Sequence, residues 1–220
     1  LGMSPFHAPS LFTILAYLEY EYGIFHPRGG LGQITQKMAA IAREMGVDIR
    51  LSEPVEGILF DGRKATGVRT TKEVHHAEKI VMNVDFATGM KGLVPNEIRR
   101  KWSDKKLEEK SYSCSTFMLY LGVNRTYDTP HHQIYASSEY QQNLQDIVEH
   151  QVTWEDPSLY VQNACVTDPE LAPDGCSTLY ILVPVTHTHD SVKWDDFKEE
   201  YRDLAMEIVD LAHKEKGSKQ

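Results

Sequence analysis

Tyr22-Gly23-Ile24-Phe25-His26-Pro27-Arg28-Gly29-Gly30-Leu31-Gly32-Gln33 is the stretch in which an aromatic run breaks at a proline and a glycine pair and then opens a helix. Pro27 cannot donate a backbone hydrogen bond, and Gly29 and Gly30 tolerate backbone angles that are closed to other residues. The closely spaced glycines also let the main chain approach a ligand. A lone glycine cluster is weak evidence, so the residues leave two interpretations open: a tight turn before a packed helix, or a ligand-contacting loop.

Helical periodicity flanks this stretch on both sides. Upstream, Ser10 is a candidate helix cap, and Leu11, Leu15 and Leu18 would share one stripe of a helix that ends near Tyr20. Such a stripe suits a core contact or the wall of an apolar cavity. Downstream, apolar residues at helical spacing predict a helix from about residue 32 to 45, which ends at a glycine.

The apolar period then changes to that of strands. Alternation predicts a strand at 47–51 and a hairpin that turns at Asp61-Gly62 and returns at 64–69. A further strand is predicted at 79–83. This order of helix, strand and hairpin fits an α/β layer.

The second half of the chain is typical of an antiparallel sheet with helices. A charged helical piece from about 96 to 110 is followed by four segments rich in Tyr, Val, Ile and Thr, at 112–123, 132–137, 159–164 and 178–185. Helices are predicted at 140–150 and, with one apolar stripe from Trp194 to Leu211, at 194–213. The predicted fold class is therefore α/β in the broad sense (α+β): a mixed or antiparallel sheet with helices on one face.

Composition places the chain among soluble globular proteins and excludes several partners. Hydrophobic residues make up 41% and charged residues 25% of the 220 residues, which excludes disorder and collagen-like repeats. A formal charge of -9 argues against nucleic acid, because phosphate binding needs clustered Lys and Arg. The three cysteines are widely spaced, which predicts reduced, buried thiols and a cytoplasmic protein. No apolar run approaches the ~20 residues of a spanning helix, so any membrane contact would be peripheral.

Motifs for metal, hydrolytic and dinucleotide chemistry are not apparent in these 220 residues. Of the histidine clusters, only His187 and His189 share a strand face, and no other ligand lies near them at zinc spacing, so no metal site is predicted. Ser113-Cys114-Ser115 lacks the G-x-S-x-G elbow of a hydrolase. Neither G-x-x-x-x-G-K-[ST] nor G-x-G-x-x-G occurs. No loop of the usual kind therefore binds a dinucleotide here.

A series of short motifs nevertheless resembles one family. The motifs are Ser4-Pro5-x-x-Ala8-Pro9, Pro27-x-Gly29-Gly30, Asn83-x-Asp85, Tyr112-Ser113-x-Ser115, His131-His132, Asp156-Pro157-Ser158-Leu159-Tyr160-Val161-Gln162, Thr167-Asp168-Pro169-x-Leu171-Ala172-Pro173-x-Gly175 and Leu182-Val183-Pro184-Val185. In this order, over about nine tenths of the chain, they resemble the bacterial-type phytoene desaturases, FAD-dependent carotenoid desaturases within the flavin amine-oxidase group. The block from Asp156 to Val185 is the most specific part.

The resemblance implies a division of the chain. Such enzymes open with a dinucleotide-binding βαβ unit and close with a second flavin-contacting segment, so this chain is expected to be the middle portion of a longer protein, with its true N-terminus upstream of Leu1. Residues 26–92 would be an incomplete segment of a Rossmann-like FAD-binding domain. Residues 1–25 would be a helical part of the substrate domain, and 93–220 its remainder.

The resemblance also implies site residues. The expected FAD contacts are Val55, Asn83, Asp85, Gly29 and Gly30; FAD would belong to the full-length protein and would be held weakly by this chain, which would be inactive alone. The substrate would be a linear C30 or C40 carotenoid precursor in an apolar tunnel lined by Leu11, Phe12, Leu15, Phe25, Phe117, Leu119 and Tyr120. No catalytic residue is identified, and the oligomeric state is not predicted.

Two rival functions remain open from the sequence. One is a related isoprenoid flavin oxidoreductase, such as a saturase or an oxidase. The other is a non-catalytic domain that binds an apolar ligand. The expected location is the cytoplasm, peripheral to the membrane that would dissolve such a substrate.

Overall fold

The described chain forms two compact units in the computed structural model. One consists of Leu1–Lys37 together with Tyr112–Gln220, and the other of Met38–Ser111. The structure describes residues 4–5, 8–188 and 191–217, and for 211–217 only the backbone. Each unit has its own antiparallel sheet, so the predicted class of mixed helices and antiparallel strands is confirmed.

The first unit opens with two helical elements that bury no side chain. A 3-10 turn at Ser10–Phe12 leads into α1 (Thr13–Tyr22), and Ser10 makes no side-chain cap, so that prediction is wrong. Instead, Thr13 Oγ1 donates to the carbonyl of Ser10 at 2.7 Å. Leu11 is 74% exposed, so the apolar stripe here is not core.

A four-stranded sheet forms the centre of the first unit. Its strands are β4 (Ser115–Val123), β5 (His132–Tyr135), β6 (Leu159–Asn163) and β7 (Ser177–Val185), in the order β4-β7-β6-β5, with every pair antiparallel. Each lies within a segment predicted from the sequence or one residue beyond it. Helix α5 (Tyr140–Val148) connects β5 and β6, and α6 (Trp194–Gly217) follows β7.

One face of this sheet, which we call the helix face, packs against α6. Its residues are Phe117, Leu119 and Leu121 of β4, Leu159 and Val161 of β6, and Ile181, Val183 and Val185 of β7. Tyr201, Ala205 and Val209 of α6 are buried against them, and Trp194, Phe197, Leu204 and Ile208 pack partly buried beside them. The predicted helical stripe is thus correct as far as Ile208; the Leu211 side chain lies outside the described residues.

The second unit is built on a hairpin. Helix α2 (Gly32–Glu44) enters it without burying a residue, and β1 (Val55–Asp61) pairs with β2 (Lys64–Thr70) as predicted. A short β3 (Val74–His76), which was not predicted, pairs with β2. Helix α3 (Phe86–Leu93) was also not predicted; its Gly89 is required because a Cβ there would lie 2.6 Å from Val84 Cγ1.

Three predicted elements of this unit are corrected by the structure. Residues 47–51 and 79–83 are not strands, because no described strand pairs with them and an extended segment without a ladder is not a strand. The charged helix expected at 96–110 shrinks to α4 (Asp104–Glu108), preceded by turns from residue 95. Ser103 caps this short helix, since its hydroxyl accepts from the Lys106 amide.

The assignment of sheet faces predicts unequal costs for two isoleucines. Ile181 on the helix face is 1% exposed, and Ile134 of β5, whose side chain points to the other face, is 66% exposed. We expect Ile181→Ala to lower the free energy of unfolding by roughly 2–5 kcal/mol. Ile134→Ala should change it by only about 0.5 kcal/mol. Urea titration of both variants measures this, and equal losses would contradict the assignment.

Candidate functional site

The second face of the four-stranded sheet, which we call the open face, carries two rows of side chains across all four strands. The first row is Tyr120, Tyr180, Gln162 and His132, and the second is Met118, Leu182, Tyr160 and Ile134. Successive residues of a strand point to opposite faces, so these residues alternate with those of the helix face. None of β4, β5, β6 or β7 contains Asp, Glu, Lys or Arg. Apart from the Gln162 amide, the open face is therefore aromatic and apolar, and its strands contribute no Asp, Glu, Lys or Arg.

The rings of the open face contact one another. Tyr180 lies edge-on to Tyr120 at 5.2 Å between ring centroids and to Tyr160 at 6.1 Å, and Tyr160 stacks on His132 at 5.8 Å. The Tyr160 hydroxyl and His132 Nδ1 share a hydrogen bond of 2.6 Å. A shallow groove of about 380 Å³ lies along Tyr120, Gly122, Gln162 and Tyr180.

Burial shifts the pKa of three ionisable groups at or beside this face toward the neutral form. Partial burial raises the pKa of Tyr160 and of Tyr180 above the ordinary phenol value, and in each case a neighbouring tyrosine adds to the shift. At the edge of the sheet, burial lowers the pKa of His131, helped by the neighbouring rings of His132 and His26. A hydrophobic ligand would therefore meet no charge from these groups at neutral pH.

The seven predicted substrate contacts do not share one surface. Phe117 and Leu119 belong to the helix face, where Phe117 lies edge-on to Tyr201 at 5.2 Å. Tyr120 points to the open face and is 74% exposed. Because adjacent strand residues alternate, Phe117 and Leu119 are core residues of the sheet–α6 contact and cannot line a cavity together with Tyr120. Exposed side chains occupy the other four positions: Leu11, Phe12, Leu15 and Phe25.

Met118, Tyr160, Tyr180 and Leu182 on the open face were not predicted as substrate contacts, although Tyr160 and Leu182 occur in the quoted motifs. The available signal was the alternation of these residues with buried ones along strands that carry no charge. Alternation along β4 would have placed Tyr120 on the opposite face of the sheet from Phe117 and Leu119.

The predicted glycine contacts, Gly29 and Gly30, lie in a turn at residues 27–30, which we call the glycine turn. Both have positive φ, at 79° and 86°, as the sequence suggested. The Gly30 amide donates to the Pro27 carbonyl at 2.9 Å, and the Gly29 amide donates to Asp168 Oδ2 at 2.5 Å. The turn is therefore anchored to a residue 139 positions away in the chain, a contact that the sequence did not reveal.

The remaining predicted cofactor contacts, Val55, Asn83 and Asp85, lie in the second unit. Val55 begins β1 opposite Thr70, and Asn83 is exposed in the segment before α3. Asp85 caps α3, because its Oδ1 accepts from the Thr88 amide at 2.8 Å, and this hydrogen bond lowers the pKa of the carboxyl. Asp85 thus has a structural role whatever else it contacts.

One further cluster of the second unit has the residue types of a metal site. Glu53, Glu73 and His75 each offer a ligand atom within 4.8 Å of the others. The Arg50 guanidinium, however, donates to Glu73 and lies 3.3 Å from His75 Nε2. Hydrogen bonds from His75 and Thr70 lower the pKa of Glu53. The positively charged Arg50 guanidinium therefore already lies among these three side chains. The hydrogen bonds of the cluster connect residues 50–53 to β3.

Cys114, Cys165 and Cys176 are free and half-buried in the structure, so the predicted burial of these thiols is only partly correct. His189 of the predicted His187–His189 pair lies outside the described residues.

Among the helices of the described chain, none combines the length and apolar character that a membrane crossing requires.

Comparison with known proteins identifies relatives along almost the whole chain. The family model described as flavin containing amine oxidoreductase matches residues 2–218. A 4,4'-diapophytoene desaturase (4,4'-diapolycopene-forming) of Methylomonas sp is 39% identical over 95% of this chain and 41% of its own length. An all-trans-zeta-carotene desaturase of Myxococcus xanthus is 40% identical over 88% of this chain and 38% of its own length.

A solved structure supports the fold. The crystal structure of an oxidoreductase from Methanosarcina mazei matches with a TM-score of 0.57 and 18% identity, over 91% of this chain and 42% of that one. At this identity the match concerns the fold alone. The chain spans about two fifths of the length of the curated relatives described above.

Asp85 provides a test of the cap. We expect Asp85→Ala to lower the free energy of unfolding by about 1 kcal/mol, because the Thr88 amide loses its acceptor. Asp85→Ser should restore most of the loss, since a serine hydroxyl also caps. Thermal unfolding of the two variants measures this; a serine variant as unstable as the alanine variant would show that the carboxylate charge, and not the cap, is what matters.

Proposed function

Because the chain belongs to the flavin-containing amine oxidoreductases, we propose that the protein that carries it is an FAD-dependent carotenoid desaturase. It would introduce double bonds into a linear C30 or C40 isoprenoid hydrocarbon. The observation that carries this proposal is the open face: two rows of mostly aromatic and apolar side chains on strands that contain no Asp, Glu, Lys or Arg. The relatives named as desaturases of carotenoid precursors support the same substrate class.

A linear hydrocarbon has the chemistry that such a face requires. It offers no hydrogen-bonding groups, so its affinity comes from buried apolar area, at about 25 cal/mol per Å². The four strands of the open face span about 14 Å at the usual strand spacing. Tyr120, Tyr180 and Tyr160 would present ring edges and faces to a chain of double bonds, and burial raises the pKa of Tyr180 and Tyr160, which keeps those two hydroxyls neutral. The face would align the substrate and exclude water.

For the cofactor, we propose that FAD is bound by the full-length protein, with residues 26–92 as part of its binding domain and with Val55, Asn83, Asp85, Gly29 and Gly30 as contacts. FAD supplies the redox chemistry, and this chain supplies alignment. The 220 residues alone should hold FAD weakly, because they contain no G-x-G-x-x-G loop. A stoichiometric flavin absorbance spectrum from these residues alone would contradict this.

For the location, we propose peripheral association with the membrane in which the substrate dissolves. Helix α1 supports this, because it exposes Ile14, Leu15 and Tyr17 and buries none of its ten residues, all of which the structure describes. The full-length protein should pellet with liposomes at both low and high salt. Protein that stays in the supernatant under both conditions would contradict the proposal.

A charge placed on the open face should impair substrate binding. We expect Tyr120→Lys to raise the KM for a liposome-delivered C30 or C40 polyene at least about tenfold, because an ammonium group in an apolar contact is costly. The matched control is Val148→Lys, since Val148 of α5 is 70% exposed and Tyr120 is 74% exposed. Product analysis by absorbance and mass gives the rate and separates desaturation from saturation or terminal oxidation.

Two results of this assay would count against the proposal. If Tyr120→Lys and Val148→Lys behave alike, the open face does not bind the substrate. If the wild-type protein, supplied with FAD and either polyene, forms oxygenated or saturated products, the related oxidase or saturase function replaces the desaturase.

A further inference from the structure

The first row of the open face changes in chemistry from one edge of the sheet to the other. Tyr120 of β4 and Tyr180 of β7 are followed by Gln162 of β6 and His132 of β5. Gln162 and His132 are direct partners in the antiparallel pair, so their side chains share the open face with Cβ atoms about 4.5–5.5 Å apart. We call these two residues the polar pair. The open face therefore has an aromatic part and a polar end.

A neighbouring histidine fixes the orientation of the Gln162 amide. Gln162 Nε2 lies 3.2 Å from His131 Nε2, and an amide nitrogen only donates, so His131 Nε2 is the acceptor. The proton of His131 therefore lies on Nδ1, which donates to Thr167 Oγ1 at 2.6 Å. Burial lowers the pKa of His131, which favours this neutral form. The Gln162 carbonyl oxygen, Oε1, accepts no hydrogen bond from the described residues.

The other member of the polar pair leaves one hydrogen-bond donor free. The His132 imidazole and the Tyr160 phenol carry at least two N–H and O–H donors between them, and their 2.6 Å hydrogen bond uses one. Neither side chain has a second hydrogen-bond partner in the described part of the chain. Whichever of the two groups donates in this bond, a donor of the other remains for a ligand. The polar end thus offers one acceptor and one donor.

The shallow groove of about 380 Å³ leads from the tyrosine rings to this polar end. Tyr120 and Tyr180 line the groove on β4 and β7, and Gln162 lines it on β6. Thr178 also lines the groove, but its hydroxyl already contacts Cys165 Sγ at 3.4 Å. A ligand in the groove would therefore meet aromatic rings along its length and the Gln162 carbonyl at one end.

The polar end selects a hydroxyl among the groups that an apolar chain can carry. A hydroxyl both donates and accepts, so it can bond to Gln162 Oε1 and to the free donor of His132 and Tyr160. A ketone or an aldehyde only accepts, and a plain hydrocarbon does neither, so each would cover Oε1 without a donor, which is unfavourable. A carboxylate would lack a counter-ion, because the four strands contain no Lys or Arg.

We propose that the open face binds a linear polyene that carries a hydroxyl group at one end, and that Gln162 and His132 determine this specificity. The hydroxyl lies at the polar pair, and the hydrocarbon chain extends over Tyr180 and Tyr120. The use of this polyene as a substrate rests on the function proposed above. The preference in binding does not.

Equilibrium binding of three linear C30 polyenes to the full-length protein tests this, with quenching of protein fluorescence as the readout. One is the hydrocarbon, the second carries a hydroxyl on a terminal carbon, and the third is the methyl ether of the second, which accepts a hydrogen bond but donates none. The variant is Gln162→Leu. Its matched control is Gln141→Leu, at an exposed glutamine of α5.

We expect the wild type to bind the hydroxylated polyene about tenfold more tightly than the hydrocarbon or the methyl ether, because only the hydroxyl donates to Gln162 Oε1. Gln162→Leu should reduce this ratio to about one, since leucine keeps most of the side-chain bulk and lacks the acceptor. Gln141→Leu should retain the tenfold ratio.

Three results would overturn the inference: equal affinity of the wild type for the hydroxylated polyene and the hydrocarbon, a methyl ether that binds as tightly as the hydroxyl, or an unchanged ratio in Gln162→Leu. The last result counts even if all three polyenes bind more weakly, because a purely structural role would not discriminate among them. A full-length protein that desaturates none of the polyenes would contradict the proposed function, while the tenfold preference would still support the role of Gln162.

Thr167→Val covers the case in which Gln162→Leu does not fold. Thr167 is exposed and valine has nearly the same shape, but the variant removes the hydroxyl that keeps the proton of His131 on Nδ1. His131 can then carry its proton on Nε2 and donate to Gln162 Oε1, which occupies the acceptor. We expect the preference for the hydroxylated polyene to fall about threefold. Thr126→Val, at an exposed threonine after β4, is the control, and equal ratios in the two variants would overturn the inference.

Discussion

The packing of α6 against one face of the four-stranded sheet determines which face of the sheet is available to a ligand. Tyr201 is 1% exposed, and Phe117, Trp154 and Trp194 place their rings around it at 5.2–5.6 Å. The long helix covers the helix face, and the strands between Ser115 and Val185 then present every second side chain on the open face. A contiguous apolar surface of this kind is typical of a binding site. The sheet is thus both core and candidate ligand surface.

The distribution of charge leaves the open face without Asp, Glu, Lys or Arg although the chain as a whole is acidic. The chain carries a formal charge of -9, yet its four central strands contain no charged residue. The acidic and basic side chains lie in other elements, such as α4 and α6. At the edge of the sheet, the first carboxylate after β6 is Asp168, which is buried and engaged by the Gly29 amide. Asp168, which accepts from the Gly29 amide, therefore lies close in sequence to a strand of the open face.

The sequence predicted what depends on local pattern and missed what depends on distant contacts. The four strands of the sheet, the β1–β2 hairpin, α2 and α6 follow from periodicity. The strands expected at 47–51 and 79–83 had suitable residues but no described partner, and pairing cannot be read from one segment. Asp168 appeared in a motif, but its contact with Gly29 crosses 139 residues. The grouping of Phe117 and Leu119 with Tyr120 could have been avoided, because strand alternation already separates them.

We propose that the open face, and not the helix face or an unrelated surface, contacts a linear hydrocarbon. Photo-crosslinking of the full-length protein with a diazirine-bearing C30 hydrocarbon, followed by peptide mapping, tests this most directly. Labels on Met118, Tyr120, Tyr160, Tyr180 or Leu182 are the predicted result. Labels confined to α5 and α6, with none on β4, β6 or β7, would contradict the account.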